Sequence, residues 1–425
     1  MTPSGAPGPI EAVRAFAGSA RFAQTLALLA VGLAFSTHAI RALIGWPGLL
    51  AALAALLVLC GASLVTRWRA IEWYGILPIS ILVFVGWCAA SVIWSGTPGL
   101  SALRVAYLIA FGVLGVYIAL MRDTIQIVRA FGDAMRVLLG VSLVLEVFSG
   151  ILFDVPIRFL GIEGDIAGLG PIQGIFGSRN MLGFVALIAL ISFIVEWRMR
   201  IVTRTMAAIS LSLALIILAL SGSPTTWIAL GAALLALAAL YGLRRVSPDN
   251  RWRWQLALLI MAAAALVTGW ILRVRIIELL DARAEFDVRL DVWRELSRYL
   301  SLNPLQGWGW VGRWPDAPPY TWIELATGRA HESALNAYLD AYFQVGVIGA
   351  VLFATLIGVA LVRAWLLASN RRSVVYLWPA LVLVAIAVTS AAESFALTEG
   401  GWMAVVICAV KAARDMSWRD ALKRG

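Results

Sequence analysis

Long apolar runs alternate with short polar, arginine-bearing stretches along nearly the whole chain. Each run approaches the roughly 20 residues that a membrane-crossing helix needs. The pattern predicts twelve spans, at about 22–40, 46–66, 75–94, 100–121, 134–153, 181–197, 205–221, 224–243, 253–273, 333–366, 374–392 and 398–413. One segment, 274–332, breaks the rhythm. Within it Phe286, Leu290, Trp293 and Leu296 recur at helical spacing while Arg283, Asp287, Arg294 and Arg298 fall elsewhere on the wheel, which predicts an amphipathic helix lying at or above the interface. Asn303-Pro304 ends that helix and Gly307-Trp-Gly-Trp310 makes a turn. Trp308, Trp310, Trp314, Tyr320 and Trp322 read as interfacial anchors, or as flat faces along a sugar path.

Composition supports the span count: 61% of residues are hydrophobic, 14% are charged, and the mean hydropathy is +0.88. The expected fold is all-α, a polytopic integral membrane protein whose one transmembrane domain covers 1–425, with 274–332 as a helical subregion outside the bilayer. Met1–Arg21 has no signal-type apolar stretch and reads as a short tail. The net charge of +10 is scattered between apolar runs, so it reads as a topology signal and excludes a nucleic-acid partner. With both termini in the cytoplasm, 21 of the 34 basic residues fall on the inner side. Short outer loops keep only Arg41, Arg158 and Arg179. Cys60, Cys88 and Cys408 all lie in apolar runs, without the spacing of a disulfide framework or a zinc site.

In that topology every even-numbered span begins at the outer face, where free N–H groups and the positive dipole end favour anions. Three of these starts are polar: Gly177-Ser-Arg-Asn180, Ser221-Gly-Ser-Pro-Thr-Thr226 and His331-Glu-Ser333. They could hold an oxyanion, with Asn180, Ser223 and Thr225 among the ligands, or simply cap helices. His331 at a helix start would stay neutral and suit a general base, whereas His38 reads as interfacial. Arg179 and Arg289 stand out as clamps for phosphate oxygens and Arg275 as a weaker third, while Arg104 and Arg273 read as headgroup contacts. Asn336, Asp340 and Gln344 form a polar stripe along the tenth span, read as packing glue. No His-x-x-x-His or Asp-x-Asp cluster is present, so no metal and no cofactor are expected, and charge neutralisation falls to arginine and helix ends.

The runs Arg289-Leu-Asp-Val-Trp293, Asn303-Pro-Leu-Gln-Gly-Trp-Gly-Trp310 and His331-Glu-Ser-Ala-Leu-Asn-Ala-Tyr-Leu-Asp340, with Gly346-Val-Ile-Gly349 after them and Gly177-Ser-Arg-Asn-Met-Leu-Gly183 before, resemble the signature region of the O-antigen ligase/polymerase superfamily. The chain departs from the family pattern at Glu332, where Asn is common after the histidine, and at Ser223-Pro224, where a Ser-Arg pair is common. The resemblance implies an inverting, metal-independent glycosyltransferase of the membrane-embedded, GT-C-like kind. Its donor would be O-antigen on undecaprenyl pyrophosphate and its acceptor a sugar hydroxyl of lipid A–core, at the periplasmic face of the bacterial inner membrane among membrane lipids. His331 would be the base and Arg179 and Arg289 the pyrophosphate clamps. Alternatives are an O-antigen or exopolysaccharide polymerase, a protein O-oligosaccharyltransferase, and, from a different class, a transporter or flippase for anionic lipid-linked glycans.

Overall fold

A computed structural model describes residues 16–68, 78–279 and 282–416. Among them the secondary structure is helical, apart from one isolated bridge between Ile157 and Ile162. The membrane-type helices are α1 (Ala20–Phe35), α2 (Thr37–Thr66), α3 (Ile79–Ala90), α4 (Pro98–Met121), α5 (Thr124–Val147), α6 (Arg179–Arg198), α7 (Arg204–Ser221), α8 (Pro224–Arg245) and α9 (Pro248–Ile271). Three short helices follow, α10 (Arg273–Leu279), α11 (Arg283–Leu300) and α12 (Tyr320–Thr327), and then α13 (Ala337–Asn370), α14 (Leu377–Thr389) and α15 (Glu399–Asp415). Eight of these are long and apolar enough to cross a membrane, with shorter apolar helices at Ala20–Phe35, Ile79–Ile93 and Val374–Thr389. The chain is a polytopic membrane protein.

Each expected span meets a helix, with shifted edges. Helix α5 starts at Thr124, ten residues before the expected 134, because Asp123 and Gln126 close a capping box there. The expected start of the third span, from 75, falls partly outside the described residues. Helix α2 begins at Thr37 rather than 46 and bends at Gly45, so His38 and Arg41 sit on a helical turn ahead of the span.

Helix α15 forms the axis of the bundle, with Gly400–Ala409 buried throughout. It packs against α4 through glycine: a Cβ at Gly115 would come within 3.0 Å of the Met403 carbonyl oxygen. Close approach through small residues is the usual route to helix association in lipid, where burial of apolar surface gives no drive. Helix α9, by contrast, buries none of its spanning window.

The break in α13 fixes the segment before it. Val345 and Gly346 leave helical geometry (Gly346 at φ 71°), and the freed backbone groups find partners elsewhere. Trp87 Nε1 donates to the Val345 carbonyl at 2.8 Å, Val347 N donates to Pro304 O at 2.9 Å, and Trp308 N and Gly309 N donate to Phe343 O and Gln344 O at 3.1 and 2.7 Å. The polar stripe completes this clamp. Gln344 accepts from Val311 N and Gly312 N at 2.9 and 2.7 Å and donates to Gly312 O at 2.9 Å, while Asp340 accepts from Trp314 Nε1 and Gln344 Nε2, both at 2.9 Å. Trp310 and Trp314 are therefore buried in the bundle, at 1% and 5% exposure, and are not interfacial anchors; Trp322, at 43%, stays exposed.

Gly346 tolerates no side chain. A Cβ there would meet Leu305 O at 2.0 Å, in a left-handed conformation. Gly346→Ala is expected to cost about 2–4 kcal/mol by combining strain with a lost clamp, seen as a lower thermal midpoint in detergent, whereas Gly358→Ala, with open space around it, leaves the midpoint unchanged.

Candidate active site

The starts of α2, α4, α6, α8, α13 and α15 meet α11, α12 and the loops around them at one end of the bundle. Two groups of arginines stand there, and they differ in how they are neutralised.

The first group contains the clamps expected from the sequence. Ser178 caps α6 by accepting from Met181 N at 3.1 Å, which places Arg179 and Asn180 in the first turn. Arg179 and Arg289 of α11 both pair with Glu285. Arg289 also donates to Glu393 at 2.8 Å and to Ala392 O at 3.1 Å, and Asn180 Nδ2 donates to the same Glu393 oxygen at 2.6 Å. Ser223, the cap of α8, donates to Asn180 Oδ1 at 2.7 Å and accepts from Thr226 N at 3.3 Å. Thr225 is buried beside it, at 7% exposure. Burial raises the Glu393 carboxyl above its usual range, against the smaller opposing pull of Arg289 and Asn180. The group is electrically closed: two guanidinium groups face two carboxylates. Arg275, exposed on α10, takes no part in it.

The second group lines a cleft. A cavity of about 350 Å³ is walled by His38 and Arg41 of α2, Arg104 and Tyr107 of α4, Arg313 of the clamped loop and Glu399 at the start of α15. A neighbouring cavity of about 560 Å³ shares His38, Arg41, Arg104 and Arg313 and adds Trp314, Glu324 and His331. Arg41 and Arg104 lie over the Trp46 ring at 4.9 and 4.8 Å. Glu399 accepts from Arg41 and from Tyr107 OH, each at 2.9 Å, and from Thr37 Oγ1. Arg313 pairs with Glu332. Arg104 makes no ion pair among the described residues and its buried Nε has no hydrogen-bond partner; in the smaller cavity the three guanidinium groups face Glu332 and Glu399, and the larger one adds Asp316 and Glu324. Burial, with Arg41 nearby, pushes Arg313 down to about 10. The whole first group lies off the walls of these two cavities, although Ser178 and Ser394, next to Arg179 and Glu393, line the smaller one.

His331 is not at a helix start. Asn336 caps α13 by accepting from Tyr338 N and Leu339 N at 3.0 and 3.1 Å, so His331 stands five residues earlier, in the loop. Its Nε2 lies 3.0 Å from Thr327 Oγ1 and its backbone N donates to Glu324 at 3.0 Å. Burial and then Arg329 keep the ring below the usual histidine range, against Glu324, so it is neutral near pH 7 for reasons other than a helix dipole. His38 and Arg104, which read in the sequence as an interfacial histidine and a headgroup contact, line the cleft instead, together with Arg41 and with Glu399, which the sequence does not mark out. Among the described residues no three His, Cys, Asp or Glu side chains converge as a metal site.

This arrangement is that of a multi-pass membrane protein with an arginine-lined cleft and a neutral imidazole at one end of its bundle. Residues 209–354 match the family described as O-antigen ligase, a match that takes in Ser223, Thr225, Arg275, Arg289, Arg313 and His331. It supports the chain's place in the O-antigen ligase/polymerase superfamily, whose members are glycosyltransferase-like enzymes acting on lipid-linked polysaccharide. The search of curated proteins finds no match.

The buried Arg289–Glu393 pair allows a test of its role. Arg289→Ala leaves a buried carboxylate without its cation and is expected to cost about 3–5 kcal/mol, with Arg289→Ala/Glu393→Leu recovering most of that by thermal unfolding in detergent. Activity that returns with stability marks the pair as structural, whereas activity that stays lost marks Arg289 as a group that meets substrate.

Proposed function

We propose that the protein is an inverting, metal-independent O-antigen ligase. In this reading it moves O-antigen polysaccharide from undecaprenyl pyrophosphate to a sugar hydroxyl of lipid A–core, in the bacterial inner membrane, with the cleft toward the periplasm and both termini in the cytoplasm. The observation that carries the reading is the shared cleft: a neutral histidine opens into the same space as three guanidinium groups, one of which, Arg104, makes no ion pair among the described residues.

The chemistry asks for those two features. The bond between sugar C1 and the pyrophosphate oxygen breaks with its electron pair leaving on the phosphate, whose growing charge is met by fixed cations. The acceptor oxygen bonds to C1 from the opposite face and its proton passes to His331. Arg104 can meet the phosphate without giving up a carboxylate, and Arg41 and Arg313 flank it. Arg179 and Arg289 join the clamp by exchanging Glu285 and Glu393 for phosphate oxygens, supported by Asn180, Ser223 and Thr225, with Arg275 a weaker third.

At unchanged protein level, His331→Ala is expected to lower polymer on lipid A–core by about a hundredfold or more while undecaprenyl-linked polymer persists. Retained ligation would remove the base, and a collapse of polymer length would favour a polymerase. Reconstituted transfer should continue in a chelator and weaken as pH falls, with its inflection below the ordinary histidine value of 6.5. The sign follows from the depressed pKa: the neutral base is intact above it and lost as pH drops through it. The same depression makes the unfolded chain bind the proton more readily, so stability falls with activity on that limb.

A further inference from the structure

The cleft continues into the apolar part of the bundle. Below Trp46, Arg104 and Tyr107, a cavity of about 360 Å³ runs between α2 and α4, lined by Leu50, Leu53, Leu57 and Ala110. At Leu57 it meets a second, of about 770 Å³, between α2, α3 and α4. From Trp46 to Leu64 this furrow follows α2 for about 27 Å at the helical rise per residue, close to the thickness of a hydrocarbon core, about 30 Å. Two glycines on its walls, Gly61 and Gly86, have nothing within 4 Å of where a Cβ would stand, so both open directly onto it.

We propose that this furrow seats the single long hydrocarbon chain of an isoprenoid diphosphate, with the diphosphate on Arg104. The inference rests on the reading of the cleft as the site of transfer. Two features select the occupant. The upper end of the furrow is Arg104, which makes no ion pair among the described residues, whose buried Nε has no hydrogen-bond partner, and whose ring partner Trp46 lines both the furrow and the cleft, so the head of the occupant is an anion. The walls below are apolar over a bilayer's depth, so the rest of the occupant is an extended hydrocarbon. The donor would thus enter sideways from the bilayer along α2 and α4, and its C1–phosphate bond would come to rest where the cleft begins.

Leucine at either glycine fills the furrow without straining a helix, since neither glycine has a left-handed φ. The probes are undecaprenyl diphosphate without a glycan and geranyl diphosphate, titrated against the full-length protein in detergent. Wild-type protein is expected to bind the long chain at least tenfold more tightly than the short one, in keeping with the apolar surface removed from water. Gly61→Leu and Gly86→Leu should weaken the long chain to the level of the short and leave the short unchanged. Val113→Trp, from the α4 wall and 47% exposed, serves as an independent variant should the glycine replacements express poorly. Equal binding of both chains by wild-type protein, or variants that bind the long chain as wild type does, would overturn the proposal and leave the furrow to ordinary membrane lipid. Transfer measured on the same samples separates the two claims. Chain-length-dependent binding without transfer keeps the furrow and removes the ligase reading; transfer without chain-length dependence does the reverse.

Discussion

A broken helix is the constraint from which the site is built. A backbone N–H or C=O left open at membrane depth costs several kcal/mol, so the interruption of α13 at Val345–Gly346 persists only because Pro304, Trp308, Gly309 and Trp87 supply partners. The same contacts hold the preceding loop rigidly against the bundle. Arg313 and Trp314 are thereby delivered to the cleft at fixed positions, with Asp340 and Gln344 anchoring them from below. Helix α2 uses a second break, Gly45 at φ 69°, ψ −178°, nearly the conformation of Gly346. That bend sets His38 and Arg41 on one side and Trp46 on the other, and all three face the same space.

Charge accounting then separates two clusters that look alike in sequence. Arginine cannot shed its proton at working pH, so a buried guanidinium needs a carboxylate or a ligand. Around Arg179 and Arg289 the carboxylates are already present, and Asn180 and Ser223 extend the network to α8. Arg104 itself makes no ion pair among the described residues, although Glu399 stands near it. Glu399 sits at the hinge of this second cluster in a left-handed conformation (φ 49°), a strain that an ordinary helix start would not carry. Its three donors come from α2 and α4, so it ties the axial helix to the two helices that carry the arginines.

How much of this was legible in the sequence follows from the range of each signal. Span order is a local property, since an apolar run long enough to cross is helical wherever it lies, and each expected span has its helix. Helix starts shifted where a cap outweighed hydropathy, as at Asp123 and Asn336. The polar stripe of Asn336, Asp340 and Gln344 was readable as glue because four-residue spacing places it on one face, and Asp340 and Gln344 do bind the loop. The cleft was not readable. Arg41, Arg104, Arg313 and Glu399 are single residues separated by scores to hundreds of positions, and only the packing of α15 against α1, α4 and α13 brings their neighbourhoods together. His331 lies ahead of the α13 start and feels no helix dipole there, and its neutrality arises from burial instead.

The stretch that matches the O-antigen ligase family covers only part of the cleft. It supplies Arg313, Glu332 and His331, while His38, Arg41, Arg104 and Glu399 come from outside it. This division has a physical meaning. The matched segment carries the broken helix and the loop it clamps, whose geometry is fixed by backbone hydrogen bonds and tolerates little change. Helices α2 and α4 contribute through side chains at their ends, where Thr37, Arg41 and Tyr107 hold Glu399 of the axial helix. Arg104 stands on the α2/α4 wall, directly above the apolar furrow, and the imidazole on the wall from the matched stretch.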